Sequence, residues 1–103
     1  MPSRWVEWAD DAEAEFEAYL DWIAERNPSA AEDVRAEIET WTGRLAAYPF
    51  IGNPNRWPGF LVHGHRHRNK LVIFQVFDDH IEIAAFRDMR QDNSKLRLRP
   101  KTK

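Results

Sequence analysis

The stretch IAERNPSAA, residues 23–31, decides how this chain folds, because it ends one helical pattern and begins another. Apolar residues recur every three or four positions over residues 12–23, and they do so again over residues 31–48. Proline disfavours helical geometry at the residue before it, and Ser29 with Glu32 has the spacing of a capping box, so the second helix is predicted to begin here. Two amphipathic helices joined by so short a link predict an antiparallel αα-hairpin.

Strand patterns lie on both sides of the predicted hairpin. Residues 4–8 (RWVEW) are rich in strand formers, and Asp10 with Glu13 has the spacing of a capping box for the helix that follows. A loop rich in proline and glycine is predicted at residues 50–59, strands at 60–62, 70–77 and 81–86, and a tight turn at 78–80.

The segment KLVIFQVF, residues 70–77, is apolar on both faces and therefore predicts a central strand. The element order is β-α-α-β-β-β, which predicts an α+β fold in which one antiparallel sheet is covered on one face by the αα-hairpin. No predicted helix remains to cover the other face, so we expect that face to need a partner.

The composition excludes several classes of protein. The length of 103 residues suits one domain, and the absence of cysteine excludes disulfide frameworks, thiolate zinc sites and cysteine nucleophiles. The longest apolar run, residues 71–74, is too short to cross a bilayer, and the first residues lack the pattern of a signal peptide. We therefore expect a cytoplasmic protein that does not enter a membrane.

The two halves of the chain differ in charge. Residues 1–52 carry 12 acidic and 4 basic side chains, whereas residues 53–103 carry 5 acidic and 11 basic ones. This asymmetry indicates either an anionic partner for the basic half or ion pairing between the two halves.

Residues 93–103 form a basic tail beyond the predicted domain of residues 1–92. From Ser94 onward there are five Lys or Arg and no acid, and Leu96 and Leu98 are the only apolar anchors. We expect this tail to be mobile or bound by a partner.

Several strings occur in an order that resembles the RelE/ParE toxins of bacterial toxin–antitoxin operons. They begin with Trp5-Val6-Glu7-Trp8 leading into a helix, followed by the IAERNPSAA link. Then come RLAAYP at residues 44–49, Gly52, Pro54, the central strand, Asp78-Asp79, IEI at 81–83 and RQD at 90–92. The resemblance covers residues 4–92, and the link together with RLAAYP brings the chain nearer to the ParE branch.

This resemblance implies a small bacterial cytosolic toxin that a cognate antitoxin of the ParD/RelB kind neutralises in a hetero-oligomer. The flexible segment of such an antitoxin folds onto the toxin, often over the helical hairpin and the sheet. ParE-like members poison DNA gyrase, whereas RelE-like members cut mRNA in the ribosomal A site without a metal. We expect ParE-like inhibition of gyrase with no cofactor; the alternatives are a RelE-like endoribonuclease and a non-toxic partner of an antitoxin.

The segment HGHRHRNK, residues 63–70, is the first candidate site. On a strand, its three histidines would share one face, and its two arginines and Lys70 would share the other. The histidine rings would then span about 13 Å along the strand, too far for one tetrahedral ion, so no metal is expected. Two interpretations remain open: histidine and arginine handle a polyanion or a partner, or the charges keep a sheet edge soluble.

The last predicted strand and the residues after it lack the group that an RNase of this family uses. Such members usually place a Tyr or His near the end of the last strand, but residues 85–92 (AFRDMRQD) contain neither. Asp88 stands where many ParE-like members carry His, and both tyrosines of the chain lie in the predicted helices. This departure favours gyrase inhibition, although a histidine of residues 63–67 could substitute.

Arg87 and Arg90 form a second basic cluster, which could join the arginines of residues 66–68 in one cationic surface. Alternatively, Arg87 pairs with a helix carboxylate such as Glu13 or Glu17 and contributes about 0–1 kcal/mol if exposed.

Two tryptophans are further candidates for partner contacts. Trp22 lies off the main apolar stripe of the first helix and Trp57 lies in the loop, and each could instead cap the edge of the core. The candidate catalytic residues are His63, His65, His67, Arg66, Arg68, Arg87 and Arg90. The candidate partner-binding residues are Trp22, Trp57, Arg66, Arg68, Lys70, Arg87 and Arg90.

Overall fold

The structure, a computed structural model, describes residues 4–102 and confirms the predicted α+β fold. The elements are β1 (Trp5–Trp8), α1 (Asp10–Ala24), α2 (Pro28–Ala47), β2 (Leu61–His65), β3 (Lys70–Val76) and β4 (His80–Asp88). Two short 3-10 turns, Pro49–Ile51 and Arg66–Arg68, follow α2 and β2. The strands form one sheet in the order β1-β4-β3-β2. Neither helix combines the length and the apolarity that crossing a bilayer requires.

The sheet is mixed where we expected a wholly antiparallel one. β3 pairs antiparallel with both β2 and β4, which makes it a central strand as predicted. β1 pairs in parallel with β4, with Val6 opposite Ile81. A hairpin turn fixes the direction of the strand that follows it, but the αα-hairpin and two strands separate β1 from β4 in sequence. No local signal in the sequence therefore sets the direction of β1.

Both helices begin earlier than the capping-box spacings predicted, α1 by one residue and α2 by two. The residue before α1 is Ala9, which gives no side-chain cap, and Asp10 lies in the first turn, where its charge favours the positive end of the helix. The cap of α2 is Asn27, whose side-chain oxygen accepts a hydrogen bond from the Ala30 N–H at 3.3 Å. Pro28 occupies the first helical position, where its missing N–H costs nothing, so Ser29 lies inside the helix.

The αα-hairpin packs on one face of the sheet, as its apolar stripes predicted. Phe16 and Leu20 of α1 and Ile38 and Leu45 of α2 are buried in one cluster. The same cluster includes a further residue of α2 and residues of β3 and β4: Val34, Val72, Phe74, Ile81, Ile83 and Phe86. The helices thus cover the face of β3 that carries its even-numbered residues.

The other face of the sheet is also covered, contrary to our expectation of an open face. Ile73 and Ala85 are buried there beneath Phe60, and Leu96 and Leu98 of the tail pack against them. The described part of the tail therefore packs on the sheet, and binding of the tail by a partner stays a prediction. Because β3 is apolar on both faces, its second face loses contact with water only if a further segment of chain covers it. We call residues 93–101 the C-terminal strap.

The strap is fastened by hydrogen bonds as well as by its two leucines. The buried side-chain amide of Gln75 donates to the Lys101 carbonyl at 2.7 Å and accepts from the Lys101 N–H at 2.9 Å. The indole N–H of Trp57 donates to the Leu96 carbonyl at 3.0 Å. Gly59 has φ +89°, and a side chain there would meet Pro100 at 3.0 Å. The strap therefore depends on a glycine in the loop beside it.

We predict that Asn27→Ala lowers the free energy of unfolding by about 0.5–2 kcal/mol, because it removes the cap of α2. Ser29→Ala is the matched control, since Ser29 lies inside the helix and bonds only to the Asn27 side chain. Urea unfolding of the three proteins measures both effects. A larger loss for Ser29→Ala than for Asn27→Ala would contradict this assignment of the cap.

Candidate functional site

Two grooves flank the αα-hairpin where β2 turns into β3. The first, about 570 Å³, lies between α2 and the histidine segment; we call it the histidine groove. The second, about 470 Å³, lies between α1 and the ends of β3 and β4; we call it the tyrosine groove. Glu37 lines the first and Arg68 lines the second, and these two side chains form an ion pair, so the grooves meet there.

The histidine segment is not one continuous strand, so the prediction of two alternating faces was wrong beyond His65. β2 ends at His65, and a 3-10 turn at Arg66–Arg68 leads to Asn69, which has φ 56°. The chain must reverse here to begin β3, and asparagine tolerates the left-handed conformation that closes the turn. Arg66 and Arg68 consequently do not share a strand face with Lys70. Asn69 is the signal in the sequence that could have revealed the turn.

His63 and His65 point toward α2, where Trp41 contacts both. The Trp41 indole N–H lies 3.2 Å from His63 Nδ1, and its ring meets the His65 ring edge-on at 5.1 Å between centroids. Burial lowers the pKa of His63, and the neighbouring His65 lowers it further. His63 is therefore a neutral imidazole that accepts at Nδ1, which places its proton on Nε2.

Glu37 is the organising side chain of this region. Its carboxylate accepts from Arg68 Nε at 2.9 Å and from Arg68 Nη2 at 3.1 Å, the two-point geometry of a strong ion pair. It also lies 3.1 Å from His65 Nε2. The Arg68 hydrogen bond holds the pKa of Glu37 below its ordinary value, so Glu37 stays ionised and fixes both side chains.

Asp88 fixes the cations of the tyrosine groove as Glu37 fixes Arg68 and His65. It accepts three hydrogen bonds from Arg90, at 2.8 Å from the backbone N–H and at 3.1 and 3.0 Å from the guanidinium. Lys70 Nζ lies 3.6 Å from the same carboxylate. The hydrogen bonds from the Arg90 side chain, followed by that from its backbone, hold the pKa of Asp88 far below its ordinary value. Asp88 therefore cannot supply a proton at neutral pH.

The structure brings Tyr19 into this groove, although the sequence pattern placed it simply on a helix. Lys70 Nζ lies 4.3 Å from the centre of the Tyr19 ring, a cation–π distance. Burial raises the pKa of the Tyr19 phenol. Trp22, one turn further along α1, lines the same groove; it is 55% exposed, with the Arg26 guanidinium 4.1 Å from its ring.

Arg87 lies outside both grooves and is held between a helix and the strap. Its guanidinium donates to Glu15 at 3.0 Å and to Asn93 at 3.0 Å. As predicted, Arg87 pairs with a helix carboxylate, but the partner is Glu15 and neither Glu13 nor Glu17. The Glu15 carboxylate reaches β4, where it also accepts the Phe86 N–H.

The predicted single cationic surface does not form. Arg68, Lys70 and Arg90 share the tyrosine groove, yet each contacts a carboxylate. Arg66 lines the histidine groove, and Trp57 lies on the opposite face of the sheet beside the strap. Among residues 4–102 there is no cluster of three or more His, Cys, Asp or Glu arranged to hold a metal ion.

The chain is similar to known proteins in sequence and in fold. The family model described as "ParE toxin of type II toxin-antitoxin system, parDE" matches residues 6–93. No curated protein sequence matches the chain. A solved structure described as "Chromosomal ParDE TA system from P. aeruginosa" superimposes with a TM-score of 0.72 and 19% sequence identity, over 84% of this chain and 96% of that chain. At that identity the likeness shows the fold alone.

We predict that His63 makes part of the stability of the protein depend on pH. Its pKa is lowered in the folded state, so the unfolded chain binds a proton that the folded chain does not. The stabilisation is present above the ordinary pKa of 6.5 and is lost as the pH falls toward the lowered value. His63→Gln should therefore lose less stability than the native protein between pH 7.5 and pH 5.5, measured by urea unfolding. An unchanged pH dependence in the variant would contradict this role.

Proposed function

Since the chain belongs to the ParE toxin family of type II toxin–antitoxin systems, we propose that a cognate antitoxin neutralises it and that the free protein inhibits DNA gyrase. The pair would act in the bacterial cytoplasm, where gyrase acts, as a hetero-oligomer that releases the toxin when the antitoxin is lost. The competing function is cleavage of mRNA at the ribosome, and the experiments below distinguish the two.

We favour gyrase inhibition over RNA cleavage because of the ion pairs at the end of the sheet. Cleavage of RNA without a metal needs a base, a cation for the phosphate and an acid for the leaving oxygen. His65 and Arg68 are both bound to Glu37, and Asp88 is ionised by its contacts with Arg90. His63 accepts a hydrogen bond from an indole. His63, His65, Arg68 and Asp88 are thus engaged with other side chains, whereas Arg66 and His67 have no carboxylate contact within residues 4–102. The engagement of the first four supports a protein that acts by binding.

The grooves are the surface that we propose for the antitoxin. Of the predicted partner-binding residues, Trp22, Arg68, Lys70 and Arg90 line the tyrosine groove, and Arg66 lines the histidine groove. Exposed tryptophan and arginine are the side chains that most often anchor protein interfaces. The two remaining candidates, Trp57 and Arg87, bond to strap residues and are left out of this surface.

Expression of the protein alone tests the proposed target. We expect growth arrest with filamentous cells and DNA-damage signalling, and we expect the purified protein to block supercoiling by gyrase in vitro. Early loss of protein synthesis with mRNA cut in the ribosomal A site would contradict gyrase inhibition and support the endoribonuclease. Absence of toxicity would instead support a non-toxic antitoxin partner.

A double variant sharpens this test. His65→Ala with Arg68→Ala removes the best candidates for acid–base chemistry and phosphate binding, and we expect inhibition of gyrase to persist. Glu37→Gln is the control, since it weakens the same contacts and leaves both side chains in place. If the double variant loses toxicity while Glu37→Gln keeps it, the two side chains act directly and the gyrase proposal fails.

The antitoxin surface gives a separate prediction. Trp22→Ala should weaken binding of the antitoxin encoded beside the toxin by at least tenfold, because buried tryptophan anchors carry about 2 kcal/mol or more. Tyr48→Ala is the matched control, because Tyr48 is also an exposed aromatic residue (68%) and lies at the C-terminal end of α2, outside the tyrosine groove. Calorimetric titration measures both variants. An equal effect of the two substitutions would place the antitoxin elsewhere.

A further inference from the structure

The cations that lack a carboxylate partner are concentrated on one side of the molecule. Within residues 4–102, seven Lys or Arg side chains lie within 4.0 Å of a carboxylate, and these belong to the helices, the sheet and the end of the strap: Arg26, Arg35, Arg68, Lys70, Arg87, Arg90 and Lys101. Other Lys and Arg side chains of the described chain have no carboxylate within 4.0 Å. Four of them lie on the strap and the loop beside it: Arg56, Lys95, Arg97 and Arg99. We call these four side chains the strap ridge.

The strap holds its arginines on a fixed backbone. Leu96 and Leu98 are half-buried against the sheet, whereas Arg97 and Arg99 between and after them are exposed. Hydrogen bonds from Trp57 and Gln75 fasten the strap on either side of these arginines. Alternate residues of an extended chain lie about 7 Å apart. The exposed Arg97 guanidinium also donates to the Ser94 carbonyl at 3.2 Å.

The neighbouring loop extends the same row of charge. Arg56 and Arg97 line one depression of about 270 Å³ on this face, and Arg56 lies 5.7 Å from the ring of Trp57. Most carboxylates are elsewhere: residues 10–47 carry eleven acidic and three basic side chains, and their helices cover the opposite face of the sheet. On the strap side, the Asp92 carboxylate is near enough to Arg56 for the two charges to interact, and Glu82 is paired with Lys101. A chain with a net charge of −2 thus presents a positive face on the side of the strap.

We propose that the strap ridge binds the phosphodiester backbone of duplex DNA without regard to sequence. Guanidinium groups pair with phosphate oxygens at two points, and each strand of the duplex carries one phosphate per about 3.4 Å of helix axis, so two arginines about 7 Å apart can both reach phosphates of one strand. The proposal goes beyond the function proposed above and does not depend on gyrase as the target.

The surroundings of the ridge favour a duplex over a single strand or an acidic protein segment. Proteins that bind single strands present aromatic rings on which bases stack. The aromatic residue beside the ridge, Trp57, is half-buried, and its indole N–H is bonded to the strap. A protein partner of an interface needs apolar anchors, but the apolar side chains of the strap, Leu96 and Leu98, face the sheet. Charge is therefore the main means of recognition, and duplex DNA carries one negative charge per about 1.7 Å of helix axis.

Salt-dependent binding of the full chain to a fluorescein-labelled duplex of arbitrary sequence tests this proposal. With three to four phosphate contacts, the logarithm of the binding constant should fall against the logarithm of KCl concentration with a slope of about −3. Arg97→Ala with Arg99→Ala should reduce the magnitude of that slope by about 2 and weaken binding at 50 mM KCl at least tenfold. Lys95→Gln, a change at an exposed turn residue, should reduce it by about 1.

The matched control removes the same charge from the other side of the molecule. Arg44→Ala with Arg66→Ala acts on two residues that line the histidine groove, and we expect affinity within about twofold of the native protein. Equal losses in the two double variants, or no binding at 50 mM KCl, would overturn the proposal. So would tighter binding of single-stranded RNA, or binding of a polyglutamate peptide as tight as that of the duplex. Thermal unfolding confirms that each variant is folded.

Discussion

Burial of β3 on both faces is the constraint on which the rest of this structure depends. Its residues alternate between the two faces, with Phe74 directed to the helices and Ile73 to the strap, and both are fully buried. The αα-hairpin can cover only one of these faces. The second face is covered by the strap, which is neither helix nor strand. Gln75 lies in the middle of an apolar strand because its side chain binds the backbone of the strap. Its amide supplies the hydrogen bonds that the extended strap backbone would otherwise make to water.

The two sides of the sheet also differ in how their charged side chains are paired. On the helix side, carboxylates such as Glu37 and Asp88 hold cations in fixed pairs, so the grooves there are specific in shape and nearly neutral. On the strap side Arg97 and Arg99 are exposed and have no carboxylate partner within residues 4–102, and the Arg97 guanidinium donates to the Ser94 carbonyl of the strap itself. A protein that binds one folded partner and one polyanion could therefore use opposite faces for them, without competition between the two.

The parts of this structure that follow local rules could be predicted from the sequence, and the remaining parts follow from contacts between distant residues. Periodicity of 3.6 residues identified both helices and most of their buried residues, and apolar character on both faces identified β3 as central. The Gly- and Pro-rich loop gave no indication that Trp57 binds the strap, because that bond joins residues 39 positions apart. The strap itself resembles a charged tail in composition, since two leucines are its only apolar anchors and the hydrogen bonds that hold it come from Trp57 and Gln75, which are distant in sequence.

The candidate site was predicted less completely than the fold. The histidine segment was identified by residue type, but its strand pattern concealed the turn at Asn69 that separates Arg68 from Lys70. Tyr19 was overlooked because helix periodicity assigns a residue to a face and does not reveal which strand ends against that face. Pairing of Glu37 with Arg68 likewise joins two elements whose relative position no local pattern records.

The parallel pairing of β1 with β4 has a consequence for the way the protein is made. β1 leaves the ribosome before its partner β4, with two helices and two strands made between them, and contacts between such distant residues form late in folding. Until β4 is complete, Trp8 lacks the Phe86 ring and Phe16 lies on an unfinished core. A growing chain therefore has neither groove in finished form before β4 is made, and a cell that makes this protein is exposed to the folded domain only after that strand has been translated.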